Sequence, residues 1–220
     1  MEIIPSVLTD DKGKFADYIK KLNDVILPHG FPLKRVQIDI NDGSFLGTKT
    51  VEPEEMSQLE NKFAIDYHLM VTDPAEWVDR CAKGKADRII AQVEKMPDQL
   101  NYFEKVNQWN LGVGLALDFP TEIHEIHPEV LPQLDVILLM SYSAGYGGQE
   151  FNNQIFNKIR ELKEKKNQSG YKFSICIDGG ITLQNINQLK ISGADEVSIG
   201  KRLIEEDIEV NFEKFYKAMY

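Results

Sequence analysis

The sequence has few of the features that mark a secreted or membrane-spanning protein. It holds only 2 cysteines in 220 residues, and Cys176 lies inside an apolar run, so we expect reduced thiols and no disulfide framework. No apolar run approaches the roughly 20 residues that cross a bilayer. The first residues, Met1–Pro5, lack the basic and apolar regions of a signal peptide. These absences predict a cytoplasmic protein.

Positive charge is also scarce. Lys and Arg number 25 against 35 Asp and Glu, which gives a formal net charge of −10. Nucleic acids and anionic membranes bind basic faces, so we expect neither as a partner. The length and the 42% hydrophobic composition are enough for one sizeable core, and no linker or low-complexity stretch divides the chain. We therefore expect residues 1–220 to form one domain.

Short β-rich runs alternate with amphipathic segments along the whole chain. Helical spacing joins Phe15 to Leu22 and Ile155 to Leu162, for example, and predicts a last helix at about 202–218. We predict strands at 2–7, 34–40, 63–70, 87–93, 111–117, 134–140, 172–177 and 195–199. Eight strand–helix pairs favour a parallel sheet closed into a (β/α)8 TIM barrel, and a doubly wound open sheet is the structural alternative.

Three chemically active side chains stand where predicted strands end. Asp39 and His68 lie near the ends of strands two and three and Asp178 follows strand seven, and active sites of barrels lie at the carboxyl ends of the strands. These residue types hold divalent metals or move protons. Taken singly, Asp39 is compatible with a turn carboxylate and His68 with a core histidine. Their joint placement at separate strand ends favours a functional site.

Glycine-rich turns follow the last three predicted strands. They are Gly145-Tyr146-Gly147-Gly148-Gln149, Asp178-Gly179-Gly180-Ile181 and Gly200-Lys201. Glycine exposes backbone N–H groups to a ligand, and a helix N-terminus nearby favours negative charge, so such turns are typical of phosphate sites. Because a carboxylate such as Asp178 does not favour anion binding, it indicates a second role. The combination predicts an enzyme that acts on a phosphorylated molecule.

These residues resemble the ribulose-phosphate 3-epimerase family along essentially the whole chain. The resemblance rests on five ordered motifs at matching strand ends. The motifs are Ile4-Pro5-Ser6-Val7-Leu8, Gln37 through Phe45, Asp66-Tyr67-His68-Leu69-Met70, Met140 through Phe151, and Ile177-Asp178-Gly179-Gly180-Ile181. The resemblance implies a (β/α)8 barrel that acts on a sugar phosphate in carbohydrate metabolism, within the pentose phosphate reactions.

The resemblance also implies roles for individual residues. Asp39 and Asp178 match two carboxylates that hold a divalent metal, commonly zinc, and that act as the acid/base pair on opposite faces of a ketose phosphate. His68 matches one metal histidine, and Ser6 matches a serine that contacts the sugar. The implied substrate-binding residues further include the methionines of an apolar cap and the residues of the phosphate turns: Met70, Met140, Gly145, Tyr146, Gly147, Gly148, Gly179, Gly180, Gly200 and Lys201.

The chain departs from the family pattern at several of these positions. Gln37 stands where the second metal histidine is expected, and an amide oxygen is a poorer zinc ligand than imidazole. With Gln37 only a weak fourth ligand, we expect zinc to bind more loosely than in a four-ligand site. Other departures are Asn41 for a methionine, Gln92 for a histidine, Ala144 for a proline, Lys201 for a small residue, and Leu46-Gly47-Thr48-Lys49 for a Pro-Asn stretch.

Three functions follow, in order of preference. The first is an isomerase that inverts C3 of a ketose phosphate, ribulose 5-phosphate/xylulose 5-phosphate or a related sugar. The second is different isomerase or lyase chemistry on a phosphosugar in the same barrel. The third is a phosphosugar-binding paralogue without catalysis. Assembly into a homo-oligomer is left open by the sequence.

Overall fold

The fold is a closed barrel of eight parallel strands, seen in a computed structural model that describes residues 1–28, 30–45, 47–144 and 149–220. Each strand pairs with the next along the chain, and β8 pairs with β1. The strands are β1 (Glu2–Val7), β2 (Arg35–Asn41), β3 (Ala64–Met70), β4 (Arg88–Gln92), β5 (Gly112–Leu117), β6 (Val136–Met140), β7 (Ser174–Asp178) and β8 (Glu196–Ile199). The predicted (β/α)8 barrel is therefore confirmed, and the open sheet is excluded.

Helices cover the outside of the barrel. They are α1 (Lys12–Asn23), α2 (Val78–Lys83), α3 (Gln99–Gln108), α4 (Ile155–Ser169), α5 (Ile186–Ser192), α6 (Lys201–Ile204) and α7 (Ile208–Ala218). The expectation of a helix after every strand is wrong at two places. Among the described residues, the connections after β2 and β5 contain only short 3-10 helices, at Pro53–Gln58, Ile123–Glu125 and Leu131–Gln133. Prolines at 120, 128 and 132 explain the second case, because proline interrupts a helix interior.

The predicted final helix at about 202–218 is in fact two helices. α6 ends at Ile204, and Glu206 takes a left-handed conformation with φ of 60°. Asp207 then caps α7, because its side chain accepts a hydrogen bond from the backbone N–H of Val210 at 3.1 Å. A positive φ at a non-glycine residue together with a strong N-cap residue ends one helix and begins the next. The apolar spacing across 202–218 did not reveal this break.

Alternating strand residues build two apolar layers. Ile137 and Leu139 of β6 face outward into the large core between barrel and helices. Val136, Leu138 and Met140 of the same strand face the barrel interior. Successive side chains of a strand point to opposite faces, so each strand contributes to both layers. Among the described residues, no helix has the length and apolarity needed to cross a bilayer.

A buried ion network lies in the barrel interior at the end where the strands begin. Arg88 of β4 donates to Asp66 of β3 (Nε–Oδ2, 3.1 Å) and to Glu196 of β8 (Nη2–Oε2, 2.7 Å). Arg35 of β2 also pairs with Asp66. Charged groups fill this end of the barrel, and each buried charge has a partner, as burial requires. The candidate site lies at the opposite end of the barrel, where the strands finish.

Candidate active site and metal centre

Asp39, His68 and Asp178 converge inside the barrel near the carboxyl ends of their strands. Asp39 and His68 lie side by side because β2 and β3 pair in register at these two residues, and Asp178 ends β7 on the other side of the interior. One ligand atom from each residue can be chosen such that all three atoms lie within 4.8 Å of one another. All three residues are buried. The structure thus brings together the three residues that the sequence placed at separate strand ends.

Gln37 lies between the two carboxylates. Its Nε2 donates to Asp39 Oδ1 at 2.8 Å and to Asp178 Oδ2 at 2.6 Å. Gln37 precedes Asp39 by two residues on β2, so both side chains point to the same face of the strand. The residue that the sequence marks as a weak metal ligand therefore meets the carboxylates through its amide nitrogen, which is a donor and cannot ligate a cation.

His68 is fixed through both ring nitrogens. Its Nδ1 lies 3.1 Å from Asp39 Oδ1 and 3.8 Å from Asp178 Oδ2. The amide of Gln92 satisfies its neighbours when its oxygen accepts from His68 Nε2 at 3.1 Å and its nitrogen donates to Glu94 Oε2 at 2.8 Å. Gln92 therefore holds a proton on Nε2 and directs Nδ1 towards the carboxylates.

The electrostatics of this cluster shift two pKa values. Burial raises the pKa of Asp178 to about 6, and the negative charge of Asp39 adds to the effect. Burial alone would lower the pKa of His68, but its hydrogen bond to Asp39 and the charges of both aspartates hold that pKa above its usual value. Titratable groups with perturbed pKa values that share one cleft are typical of functional sites.

The cluster opens into a cavity of about 610 Å³ at the mouth of the barrel. This volume is within the range of small-molecule sites. Ser6, Met70 and Met140 line it, as the resemblance implies. The cavity also contains three cationic side chains, Lys49, Lys201 and Arg202, although the whole chain is acidic. Asp10, Asp39 and Asp178 line the cavity as well, so it offers an anionic ligand cationic partners without a net positive charge.

Glycines of the last two strand ends form part of the wall. Gly179, Gly180 and Gly200 line the cavity, and Lys201 follows them at the start of α6. Gly179 has φ of 99°, and a Cβ there would lie 2.7 Å from the ring of Tyr142. Only glycine fits such a position. The remaining predicted phosphate residues, Gly145, Tyr146, Gly147 and Gly148, lie outside the described residues.

Sequence reasoning missed part of the cavity wall. Tyr142, Arg202 and Thr50 line the cavity and were not singled out. Tyr142 lies two residues after the end of β6, and Arg202 lies three residues after the end of β8. Attention to residues just beyond each strand, as well as to the last strand residue, would have found both. Thr50 belongs to the stretch between β2 and β3, where the chain departs from the family.

The donor set fits a divalent cation. Asp39 and Asp178 offer carboxylate oxygens, and His68 offers Nδ1, since Gln92 engages its other nitrogen. Carboxylate oxygen and imidazole nitrogen are common zinc ligands, and three protein ligands with one open position are typical of catalytic zinc. The three residues that could hold a metal are therefore present and suitably oriented, whereas Gln37 presents a donor.

Two ribulose-phosphate 3-epimerases are similar to this chain over nearly its whole length. The ribulose-phosphate 3-epimerase of Escherichia coli (strain K12) is 28% identical over 207 residues, which cover 93% of this chain and 89% of the enzyme. That of Bacillus subtilis is 26% identical over 203 residues, covering 91% of this chain and 90% of the enzyme. Both alignments therefore span nearly the full length of both partners.

Solved structures share the barrel at much lower identity. 3-keto-L-gulonate-6-phosphate decarboxylase from Vibrio cholerae superimposes with a TM-score of 0.67 at 13% identity, covering 99% of this chain and 96% of the other. Orotidine 5'-phosphate decarboxylase from Pyrococcus horikoshii gives 0.63 at 10%, covering 99% and 98%. These likenesses concern the fold alone. A model of the ribulose-phosphate 3 epimerase family matches residues 2–204, and the chain therefore belongs to that family as a divergent member.

Proposed function

We propose that this protein is an epimerase that inverts C3 of a ketose phosphate, with ribulose 5-phosphate and xylulose 5-phosphate as the first candidates. The observation that carries the proposal is the convergence of Asp39 and Asp178, from opposite sides of the barrel interior, at the base of one cavity. Membership of the family supports epimerase chemistry on a pentulose phosphate.

Inversion of a carbon needs a proton acceptor on one face and a proton donor on the other. In this proposal one of the two aspartates removes the proton from C3, and the other returns a proton from the opposite side. The two carboxylates exchange these roles when the reaction runs in reverse, so protons balance in both directions. A positioned acid or base of this kind contributes about 10²- to 10⁴-fold to the rate.

The intermediate of such a reaction is an enediolate, whose negative charge must be stabilised. A divalent cation held by Asp39, His68 and Asp178 would supply that stabilisation, and zinc suits the donor set. All three residues are buried, which limits the access of water to their ligand atoms. Met70 and Met140 add apolar surface to the wall of the cavity.

We assign the phosphate group to the side of the cavity formed by Gly179, Gly180 and Gly200. Lys201 and Arg202 stand beside these glycines and bring positive charge to a phosphate. Barrels of this kind usually hold phosphate after strands seven and eight. Bound there, the phosphate would direct the carbon chain of the sugar towards the aspartates.

The test is solvent exchange at C3. The protein is incubated in deuterium oxide with ribulose 5-phosphate and with a panel of other pentulose and hexulose phosphates, and the C3 proton is followed by NMR. We expect deuterium at C3 and formation of the C3 epimer for at least one pentulose phosphate. Exchange at another carbon, or loss of a carbon fragment, would favour other isomerase or lyase chemistry. Binding without exchange of any proton would favour a non-catalytic paralogue.

A further inference from the structure

We propose that Gln37 is a positioning residue that clamps Asp39 and Asp178 together in place of a cation, and thereby lowers the affinity of the site for divalent metal. The proposal rests on the proposed function in one respect, namely that Asp39, His68 and Asp178 are the metal ligands. It concerns the residue at which this chain departs from its family, and it gives Gln37 a role opposite to that of a weak fourth ligand.

Gln37 uses both N–H groups of its side-chain amide as hydrogen-bond donors. A glutamine Nε2 carries two hydrogens, and here two carboxylate oxygens accept from it, Asp39 Oδ1 at 2.8 Å and Asp178 Oδ2 at 2.6 Å. Hydrogen bonds to charged acceptors are stronger than neutral ones. Gln37 is buried, with 1% of its surface exposed, and the side chains of Asp39 and Asp178 are only 9% and 12% exposed, so water has limited access to these hydrogen bonds. The amide therefore gives each carboxylate one hydrogen bond without an ion.

The oxygens that Gln37 binds are also the carboxylate oxygens that lie nearest to His68 Nδ1. His68 Nδ1 lies 3.1 Å from Asp39 Oδ1 and 3.8 Å from Asp178 Oδ2, which are the same two oxygens that accept from Gln37. The atoms best placed to surround a cation are thus the atoms that Gln37 already binds. A cation among them would face the positive N–H groups of the amide. Both hydrogen bonds therefore compete with a metal for these two oxygens, and an amide that turned its oxygen inward would remove that competition.

The two roles of Gln37 predict opposite effects when the amide is removed. Methionine has a similar length and no N–H donor, so Gln37→Met frees both carboxylates. If Gln37 is a clamp, the variant binds metal more tightly than the wild type. If Gln37 is a weak ligand, the variant binds metal equally or less tightly. Gln37→His does not separate these roles, because the new imidazole is itself a ligand.

The experiment measures zinc affinity by competition with a chromophoric chelator, with zinc alone as the probe and no sugar phosphate present. We expect Gln37→Met to bind zinc at least about tenfold more tightly than the wild type. Gln92→Met is the matched control, since Gln92 is also a buried glutamine beside the cluster and supports His68 from the other side. We expect Gln92→Met to weaken zinc binding. Unchanged or weaker binding by Gln37→Met would overturn the proposal.

A measurement on the wild type keeps the proposal testable if Gln37→Met does not fold. In protein with ¹⁵N-labelled glutamine, the side-chain signal of Gln37 is assigned and followed as zinc is added. We expect both amide protons to shift and to lose protection from solvent exchange when the hydrogen bonds break. If they stay unchanged at saturating zinc while the His68 ring signals move, Gln37 does not yield to the cation and the proposal fails. The zinc titration and the NMR measurement use no sugar. Both can therefore be interpreted even if the C3 exchange test is negative.

Discussion

Asp39 and Asp178 belong to strands on different sides of the barrel, yet their carboxylates accept hydrogen bonds from one nitrogen atom, Gln37 Nε2. This shared donor fixes the two oxygens close together at the base of the cavity. Like charges at such a distance repel each other, and a donor between them reduces the repulsion. The C3 atom of a small substrate can therefore lie close to both carboxylates at once.

The first prediction concerns these carboxylates. Asp39→Asn and Asp178→Asn should each reduce the rate of epimerisation by about 10²- to 10⁴-fold, because each removes one member of the acid/base pair. Each variant should retain slow C3 exchange of one epimer only, and the epimer should differ between the two. NMR in deuterium oxide measures both quantities. Asp17→Asn, on the exposed face of α1, is the control and should leave the rate unchanged. Loss of exchange for the same epimer in both variants would contradict a two-base mechanism.

The second prediction concerns Gln37→His. Imidazole is a better zinc ligand than an amide, and the substitution also removes the donor that Gln37 directs at the carboxylates. We expect zinc affinity to rise and, if the protein is an epimerase, the rate to rise with it. Metal analysis of the purified wild type should show less than one equivalent of zinc. Retention of a full equivalent by the wild type through dialysis against a chelator would refute this expectation.

The third prediction concerns the phosphate side of the cavity. Lys201→Ala should raise KM for the sugar phosphate about tenfold with little change in kcat. Tenfold is about 1.4 kcal/mol, just below the usual range of about 1.5–3 kcal/mol for a hydrogen bond to a charged group, because Lys201 is exposed to solvent. Lys172→Ala is the matched control. Lys172 is exposed and precedes β7, so it lies at the opposite end of the barrel from the cavity. Equal KM values for the two variants would place the phosphate elsewhere.

The strand ends were predictable because their pattern is local. Asp39 and His68 lie near the ends of alternating segments and Asp178 follows an apolar run, and strand propensity and burial are enough to recognise such segments. The parallel pairing of the strands then brings all three to one end of the barrel, which is a consequence of the fold class. The predicted roles of these residues as acid, base and ligands stay predictions.

Other features depend on contacts between distant segments and were not predictable. The sequence shows glutamine at position 37, but only the structure shows that its nitrogen faces a carboxylate 141 residues away. The Asp66–Arg88–Glu196 network also joins three strands, and no spacing rule links its members. Tyr142 was not predicted, because it lies two residues beyond the end of β6 and only the fold brings it to the cavity.

The last prediction concerns that ion network. Arg88→Met should lower the free energy of unfolding by about 3–5 kcal/mol, because removing one partner leaves Asp66 and Glu196 as insufficiently compensated buried charges. Lys217→Met is the control, since Lys217 pairs with Glu213 on the exposed surface of α7, and such pairs contribute about 0–1 kcal/mol. Chemical unfolding curves of both variants and the wild type measure the difference.

The loss of stability in Arg88→Met should depend on pH. Burial already raises the pKa of Asp66 above its usual value, and loss of the nearby guanidinium should raise it further. A carboxyl with a raised pKa in the folded state favours folding when protonated and opposes it when ionised. The stability deficit of Arg88→Met should therefore be largest near neutral pH and shrink as the pH falls towards about 4, the usual carboxyl range. A deficit that stays constant on acidification would show that Arg88 stabilises the barrel by packing and not by charge.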